Sequence, residues 1–504
     1  MGFKVRIAIA GAGVSGFATL GYLVDSLRST TSAEVTIYWL QPPRNIQMQN
    51  LSGQQCDRLT QLKKIGLDPT QLLGGGQVYH PVQPSLFTFN GDSAARGFNF
   101  AAGRYDTADY FEWVQANRDL LATLYPDFAP EKGQQRHPAH TLDDIGGTTP
   151  RGAYGLYLHH QVLALREHLP QHISLKIIPE MLQNFEQQES TVTLKTCIRQ
   201  LNVDYLVQAT GPQWANLRPE WQGKVFRAYP CDRYGLDLPP QVTVVGAGAS
   251  GIEVALHLLH NLGVEQVALV SRRAQSRFPQ VEPTEPYECR WFTRKQMRRR
   301  PTAQQAKELL QKELEACYQA CRLPYPGWDT LLNIENYSRF LEDYIEATNL
   351  SPNHPFAHLV RPVMSFYGQV KDLLPAVEQI GVLQLINRVK PLFATQSRPC
   401  AELMLAALKA NRLRLVAGTF LPEKTKQTIL QPDGSRIHPD CVILATGFEL
   451  SISPFYPTAS NPRCYQVIGT SLSSVHKRAA SVAEAIVSGV RQSCGAIATG
   501  LDVR

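Results

Sequence analysis

Val5-Arg6-Ile7-Ala8-Ile9-Ala10-Gly11-Ala12-Gly13-Val14-Ser15-Gly16 is the stretch that decides the fold of this chain. Its first half is mostly apolar and reads as a strand. Three glycines in G-x-G-x-x-G spacing follow, and apolar positions at helical spacing continue to about residue 27. Each glycine has its own reason in that setting. Gly11 lets the backbone turn sharply out of the strand, Gly13 lets a ligand approach the bare main chain, and Gly16 lets the helix pack close to the strand. A helix that starts at such a turn offers unpaired N–H groups and the positive end of its dipole. The pattern predicts a site for a dinucleotide's pyrophosphate, lined by Gly11, Gly13, Ser15 and Gly16. The plainer reading of one hexad is a tight turn in some other α/β protein.

The arrangement recurs. Residues 241–245 are apolar, Gly246-Ala247-Gly248-Ala249-Ser250-Gly251 repeats the hexad, and a helix is expected over 252–262. The next strand, 266–270, ends in Ser271-Arg272-Arg273. An acid there would hold a free ribose 2′-hydroxyl, whereas two arginines suit the extra 2′-phosphate of NADP. The alternative is two solvated arginines after a strand. Gly246, Gly248, Ser250, Gly251, Arg272 and Arg273 thus form a second candidate site, for NADP rather than NAD. Two further segments match each other. Asp204-Tyr205-Leu206-Val207-Gln208-Ala209-Thr210-Gly211 and Asp440-Cys441-Val442-Ile443-Leu444-Ala445-Thr446-Gly447 each run as an apolar strand into Ala-Thr-Gly. They put Thr210 and Thr446 at strand edges beside bound nucleotide. The expected fold is α/β, with two Rossmann-like dinucleotide-binding domains.

At this point the chain resembles the flavoproteins with two dinucleotide-binding domains, one for FAD and one for NAD(P)H. Asp440 to Phe448 resembles the D-x-x-x-L-A-T-G-[FYH] signature of flavin-dependent N-hydroxylating monooxygenases. The N-terminal half is similar to a bacterial FAD/NAD(P)-binding family through Gln77-Val78-Tyr79-His80-Pro81-Val82-Gln83-Pro84, Leu86-Phe87-Thr88-Phe89-Asn90 and Pro150-Arg151-Gly152-Ala153-Tyr154-Gly155-Leu156-Tyr157-Leu158. Residues 383–420 are also similar to that family. The resemblance implies an FAD-binding domain over 1–235 and 447–504 and an NADP-binding domain over 236–446. A helical insertion at about 300–390 interrupts the second domain. It places Asn90 near the flavin ring, where the competing reading is that Asn90 only shapes a turn with Gly91. It also sets Gly469 and Thr470 before a last helix, about 473–490, whose positive end faces the flavin. Thr470 stands where the disulfide-reductase branch carries an acid.

This chain departs from the resemblance twice. FAD-binding relatives end the second strand in an acid that binds the adenosine ribose. Trp39 holds that place here, followed by Leu40 and Gln41, and Gln41 is the remaining candidate for the ribose. Around 395–399 the similar family tends to carry a basic, histidine-containing motif, where this chain has Gln396, Ser397 and Arg398.

Between these motifs, residues 42–150 read as long and turn-rich, with a helix at 108–124 and an exposed loop at 131–150. A helix at about 155–167 follows, then short strands at 174–178, 191–196 and 201–208. Thr302 and Gln305 spell a capping box for a helix to about 321, with further helices at about 333–347 and 367–380. Residues 412–420 and 440–444 read as returning the chain to the FAD domain.

The chain has 504 residues, enough for two to four domain-sized units. With 18% charged and 43% apolar residues it belongs with soluble globular enzymes rather than disordered proteins. A net charge of +7 fits the binding of two anionic dinucleotides and gives no case for nucleic acid, despite the basic run with Trp291 and Phe292 at 290–300. The ten cysteines include no C-x-x-C, which removes a thioredoxin-reductase-type dithiol and points to a reducing cytoplasm. No signal peptide, lipidation motif or transmembrane run is expected. No metal site is expected either. His159 and His160 are adjacent and diverge on a helix, and His354 and His358 lack a third ligand.

The expected function is an FAD- and NADPH-dependent oxidoreductase. Its reaction is a monooxygenation of a nucleophilic nitrogen or sulfur of a small molecule, with O2, through a flavin hydroperoxide. A flavin dehydrogenase or reductase with an organic acceptor shares every motif. A low-turnover redox sensor or scaffold is the third reading, and a homo-oligomer is compatible with all three.

Overall fold

The computed structural model describes residues 3–88, 98, 108–126, 149–211, 217, 221, 223–235, 237–279, 281, 283–373, 376–393, 396–423, 427–446, 463–467 and 472–498. The chain divides into two compact units. One is Met1–Asn216 with Tyr229–Leu236 and Gly447–Arg504; the other is Leu217–Ala228 with Asp237–Thr446.

The first unit opens with β1 (Phe3–Ala10), α1 (Val14–Leu27) and β2 (Ala33–Leu40), and the two strands pair in parallel from Phe3 beside Ala33 to Ala10 beside Leu40. Four helices follow: α2 (Gly53–Lys64), α3 (Ala108–Ala116), α4 (Arg118–Leu124) and α5 (Arg151–Glu167). Then come β3 (Ile173–Ile178), the strands β4 (Leu182–Gln187), β5 (Val192–Thr196) and β6 (Gln200–Val203) of a small antiparallel sheet, and β7 (Tyr205–Gln208). In the main sheet β3, β2, β1 and β7 are neighbours in that order, and Cys464–Gln466 pairs with β7 at the far edge. The chain moves outward from β1 in one direction and then crosses to β1's other side, so a switch point lies at the carboxyl end of β1, where open α/β sheets bind ligands. Ile7, Ile9, Val35 and Ile37 pack with Phe17, Leu20 and Val24 of α1 in one core, which is apolar because both sheet faces are covered.

The second unit repeats this plan around β8 (Val225–Arg227), β9 (Gln241–Val245), α6 (Ala249–Asn261) and β10 (Gln266–Ser271). A helical stretch follows: α7 (Arg294–Met297), α8 (Ala303–Ala320), α9 (Trp328–Leu332), α10 (Tyr337–Leu350), α11 (Pro355–Leu373), α12 (Ala376–Phe393) and α13 (Arg398–Lys409). The chain returns as β11 (Leu413–Ala417), the antiparallel trio β12 (Thr419–Pro422), β13 (Gln427–Leu430) and β14 (Arg436–Ile437), and β15 (Val442–Leu444). The parallel order is β11, β10, β9, β15, β8, with the switch beside β9. The last elements, β16 (Cys464–Gln466) and α14 (Leu472–Ala498), belong to the first unit.

The α/β class with two Rossmann-like units is as the sequence predicts. Residues 412–420 and 440–444 are not. They do not return the chain to the first unit, because β11 pairs with β10 and β15 pairs with β9, each in parallel register. The helix expected at 108–124 is two, since the Asn117 side chain and backbone both donate to Trp113 O and close the first of them. Within 42–150 the unexpected element is α2, and its signal was present. Ser52 and Gln55 form a capping box, and Leu59 and Leu62 are buried one turn apart. The Thr302–Gln305 box is found as expected, with reciprocal bonds of 3.2 and 3.0 Å. The basic run is tied down from within: the buried Glu313 carboxylate accepts from the N–H groups of Trp291 and Phe292, both at 2.6 Å.

Arg58 of α2 is buried and shapes the loop after it. Its guanidinium donates to Leu124 O, Pro81 O, Gln83 O and Ser85 Oγ, at 2.8–3.2 Å. Those carbonyls have no water to turn to, so removing their donor leaves them desolvated and unmet. Arg58→Met is expected to lower the unfolding free energy by about 3–5 kcal/mol, read from urea midpoints. An unchanged midpoint would show that the loop holds itself.

Burial also sets a pH dependence. It depresses the pKa of His80 to about 3, and those of His159 and His257 to about 4. The unfolded chain therefore takes up these protons first as the pH falls below about 6.5. Their stabilising effect is complete above that value and is lost toward the folded pKa values. Urea midpoints are expected to fall steadily between about pH 7 and pH 4.5, and a flat profile down to pH 5 would contradict the buried neutral histidines.

Candidate functional site

The two glycine turns have the same construction. Gly11 has φ 116° and Gly246 φ 109°, a region that only glycine enters freely. A Cβ on Gly11 would lie 2.3 Å from Ala209 O, and one on Gly246 would lie 2.5 Å from Ala445 O. This contact explains the paired Ala-Thr-Gly segments: in each unit the alanine carbonyl packs on the first glycine of the hexad. The third glycine is equally confined. A Cβ on Gly16 would stand 1.9 Å from Gly11 O, and one on Gly251 would stand 1.6 Å from Gly246 O. The middle glycines, Gly13 and Gly248, are the extended N-cap residues of α1 and α6, and neither helix has an acidic residue in its first turn or a side chain capping its start. The first-turn N–H groups, with Ser15 and Ser250 among them, are thus left to an anionic ligand. Thr210 and Thr446 are exposed at the carboxyl ends of their strands.

Trp39 is the largest surprise of the first turn. It is fully buried, and its indole N–H donates to Gly11 O at 2.9 Å. It braces the turn from below and offers no face to an adenine. Gln41, just past the strand, has its backbone N–H on Ile178 O at 2.8 Å and its side-chain amide on Leu72 O at 3.0 Å. Its Oε1 is buried and has no partner among the described residues. A buried acceptor left open beside the turn suits a ribose hydroxyl, which is a donor. The bare glycine cradle and this acceptor fit a dinucleotide in the first unit.

The stretches that resemble the bacterial family come together beside this turn. Gly76 (φ 56°) faces Gly13, and a Cβ on it would lie 3.0 Å from Gly13 Cα. On the other side, a Cβ on Gly155 of α5 would stand 1.8 Å from Tyr79 O, and one on Gly152 would stand 2.8 Å from Pro81 Cα. Gly74-Gly75-Gly76 is therefore threaded between the phosphate turn and α5, a role that a run of three glycines signals but whose partner it does not name. Asn90, Gly469, Thr470 and most of the loop read at 131–150 lie outside the described residues.

In the second unit Arg272 and Arg273 are exposed after β10 as expected. Arg273 Nη1 donates to Arg388 O at 3.0 Å, and partial burial, then Arg388 and Arg272, hold its pKa below the ordinary value. Gln396 Nε2 donates to Arg277 O at 2.8 Å, and the buried Arg398 is bound to Glu402 at 3.0 Å and to Asn349. The two histidine pairs are occupied locally: His159 accepts from Leu73 N–H, His160 from Trp113 Nε1 and His354 from Phe356 N–H. Among the described residues no group of three His, Cys, Asp or Glu could hold a metal ion.

Residues 8–213 match the model of a family described as FAD-NAD(P)-binding. The chain carries an FAD-NAD(P)-binding domain. No curated protein sequence matches it. Among solved structures it is similar to the reduced form of ornithine hydroxylase from Pseudomonas aeruginosa, at 13% identity over 97% of this chain and 100% of that one, with a TM-score of 0.47. It is similar to a cyclohexanone-bound cyclohexanone monooxygenase at 14% identity, over 98% of this chain and 88% of that one, with a TM-score of 0.42. The bacillithiol disulfide reductase of Staphylococcus aureus aligns at 10% identity, over 97% and 99% of the two chains, with a TM-score of 0.40. Among the described residues no helix is long and apolar enough to cross a membrane.

Gln41 is the candidate for a ribose contact at the strand end, and a substitution there tests it. Gln41→Leu keeps the bulk and removes the acceptor, and is expected to weaken FAD binding about tenfold in a flavin titration. Binding unchanged in that variant would remove Gln41 from the site.

Proposed function

We propose that this chain is an FAD- and NADPH-dependent oxidoreductase that oxygenates a nucleophilic nitrogen or sulfur of a small molecule. The observation that carries the reading is the duplicated glycine turn: two phosphate-binding turns of identical construction, each at the switch point of its own parallel sheet. FAD takes the turn of Gly11, Gly13 and Gly16, and NADPH takes the turn of Gly246, Gly248 and Gly251. When bound, FAD supplies hydride acceptance from NADPH and the reaction of its reduced form with O2.

What the chain contributes is binding and orientation. The N–H groups at the starts of α1 and α6 meet phosphate charge, and Gln41 receives a ribose hydroxyl. Arg272 and Arg273 give the exposed end of β10 the positive charge that a 2′-phosphate requires. Two features weigh toward oxygenation over disulfide reduction. The sequence has no C-x-x-C, and Cys317 is a buried residue of the helical insertion rather than part of either turn. The ten cysteines are scattered without a disulfide-scaffold spacing, which supports a cytoplasmic location.

The deciding experiment is a visible spectrum of the purified, FAD-loaded protein under anaerobic addition of NADPH, then oxygen uptake with amine and sulfide substrates. The flavin bands are expected to bleach with NADPH at concentrations about tenfold or more below those needed with NADH. Oxygen consumed should equal oxygenated product formed. Bleaching without such a product, relieved by a quinone or other organic acceptor, would replace the oxygenase with a reductase. Failure to bleach would sink both.

A further inference from the structure

Arg272 and Arg273 sit on a short turn that the second glycine turn holds at both ends. Val270 O accepts from Gly246 N–H at 2.8 Å just before the two arginines, and Ser276 Oγ donates to Ala247 O at 3.1 Å just after them. Between these ties Ser271 Oγ donates to Gln275 O at 3.0 Å and accepts from Gln275 N–H at 3.1 Å. A hydroxyl can do both, and the turn closes on it through Ala274 in the left-handed region, φ 50°. The two arginines therefore have a fixed place beside the dinucleotide turn.

A third arginine reaches the same place from the helical insertion. Arg273 Nη1 donates to Arg388 O on α12 at 3.0 Å, which seats Arg273 against that helix. The helix is itself held in place: Val382, Val389 and Phe393 are buried, and a Cβ on Gly381 would lie 2.9 Å from Ala303 Cβ of α8. The Arg388 and Arg272 side chains are exposed, and neither has a hydrogen-bond or ion-pair partner among the described residues. Both are near enough to Arg273 that, after partial burial, their charges help to hold its pKa below the ordinary value, and no carboxylate acts against them. A single exposed arginine is ordinarily a solvated side chain. Three around one point, with no acid among them, repel one another until they share an anion.

We propose that Arg388 completes the 2′-phosphate site of the second unit, so that the helical insertion supplies a residue that selects NADPH over NADH. This rests on the assignment of the second turn to NADPH. Charge decides which phosphate the cluster takes. A monoester such as the 2′-phosphate carries close to two negative charges near neutral pH and presents three acceptor oxygens. Each phosphate of the diphosphate link carries a single charge and meets the N–H groups at the start of α6. Arg272 and Arg273 follow directly from the strand end, where a sequence pattern shows them. Arg388 lies 115 residues beyond Arg273, and only the fold brings it there.

The test is equilibrium binding of the oxidised dinucleotides, which cannot reduce the flavin. NADP+, NAD+ and adenosine 2′,5′-bisphosphate are titrated into the FAD-loaded protein, with dissociation constants read by calorimetry. The bisphosphate carries the 2′-phosphate without the diphosphate link or the nicotinamide. Arg388→Gln is expected to weaken NADP+ and the bisphosphate by about tenfold and to leave NAD+ within about twofold. Arg388→Lys keeps the charge and is expected to recover part of the loss. Because Arg388→Gln removes a like charge, its thermal midpoint without ligand is expected at or above that of the parent. Early unfolding of Arg388→Gln, or an equal loss of NADP+ and NAD+, would make Arg388 a structural residue and overturn the proposal. Unchanged NADP+ binding in Arg388→Gln, with a parent that prefers NADP+, overturns it while leaving the cofactor reading intact. A parent that binds NADP+ and NAD+ alike, or neither, overturns the NADPH reading itself, and the proposal with it.

Discussion

The first unit depends on one close approach of backbone to backbone. Ala209 O lies where a Cβ of Gly11 would be, and Gly11 O lies where a Cβ of Gly16 would be. Both obstacles are main-chain oxygens of residues whose N–H groups are tied to the neighbouring strand, Gly11 to Leu40 O and Ala209 to Ala10 O, so neither can yield to a methyl group as a flexible side chain would. Three consequences follow from this contact. Strand β7 can lie against β1, α1 can start directly above the sheet, and the N–H groups at its start point at the switch between β1 and β7. Trp39 completes the arrangement by holding Gly11 O from below. The same set of contacts recurs with Ala445, Gly246 and Gly251 in the second unit, which is why two stretches of similar sequence build the same turn.

This accounts for what could be read in advance and what could not. The hexads, the strands around them and the Thr302–Gln305 capping box are local: their chemistry is contained in a few consecutive residues, and they are found where they were expected. Pairing between distant strands is not local. Residues 412–420 and 440–444 carry strand-like patterns, but nothing within them states which sheet they join. That is fixed by the register of β11 on β10 and of β15 on β9. The repeated Ala-Thr-Gly was visible as a repeat, yet its purpose, a carbonyl seated on a glycine, needs both partners in view.

Trp39 is the instructive case of a correct observation with an incomplete meaning. The missing acid at the end of β2 is real, and Trp39 stands in its place. An indole, however, has a donor as well as a face, and a buried N–H requires an acceptor. Gly11 O supplies it at 2.9 Å, and the ring turns inward. Just past the strand end, the Gln41 amide N–H group is committed to Leu72 O, and its oxygen has no partner among the described residues. A neutral amide in place of a carboxylate gives a weaker bond to a hydroxyl.

The two turns differ in what lies over them. At the first, Gly76 Cα lies 3.7 Å from where a Cβ on Gly13 would be, so glycine backbone lies against the middle of the turn. At the second, the segment after β10 is fastened to the turn: Ser276 Oγ donates to Ala247 O, and Arg277 O accepts from Tyr337 Oη and Gln396 Nε2. Ser276, Tyr337 and Gln396 are buried, so water does not compete for these bonds. The helical insertion is therefore more than an appendage to the second unit: α10 begins with Tyr337, which holds the segment that is bound to the glycine turn.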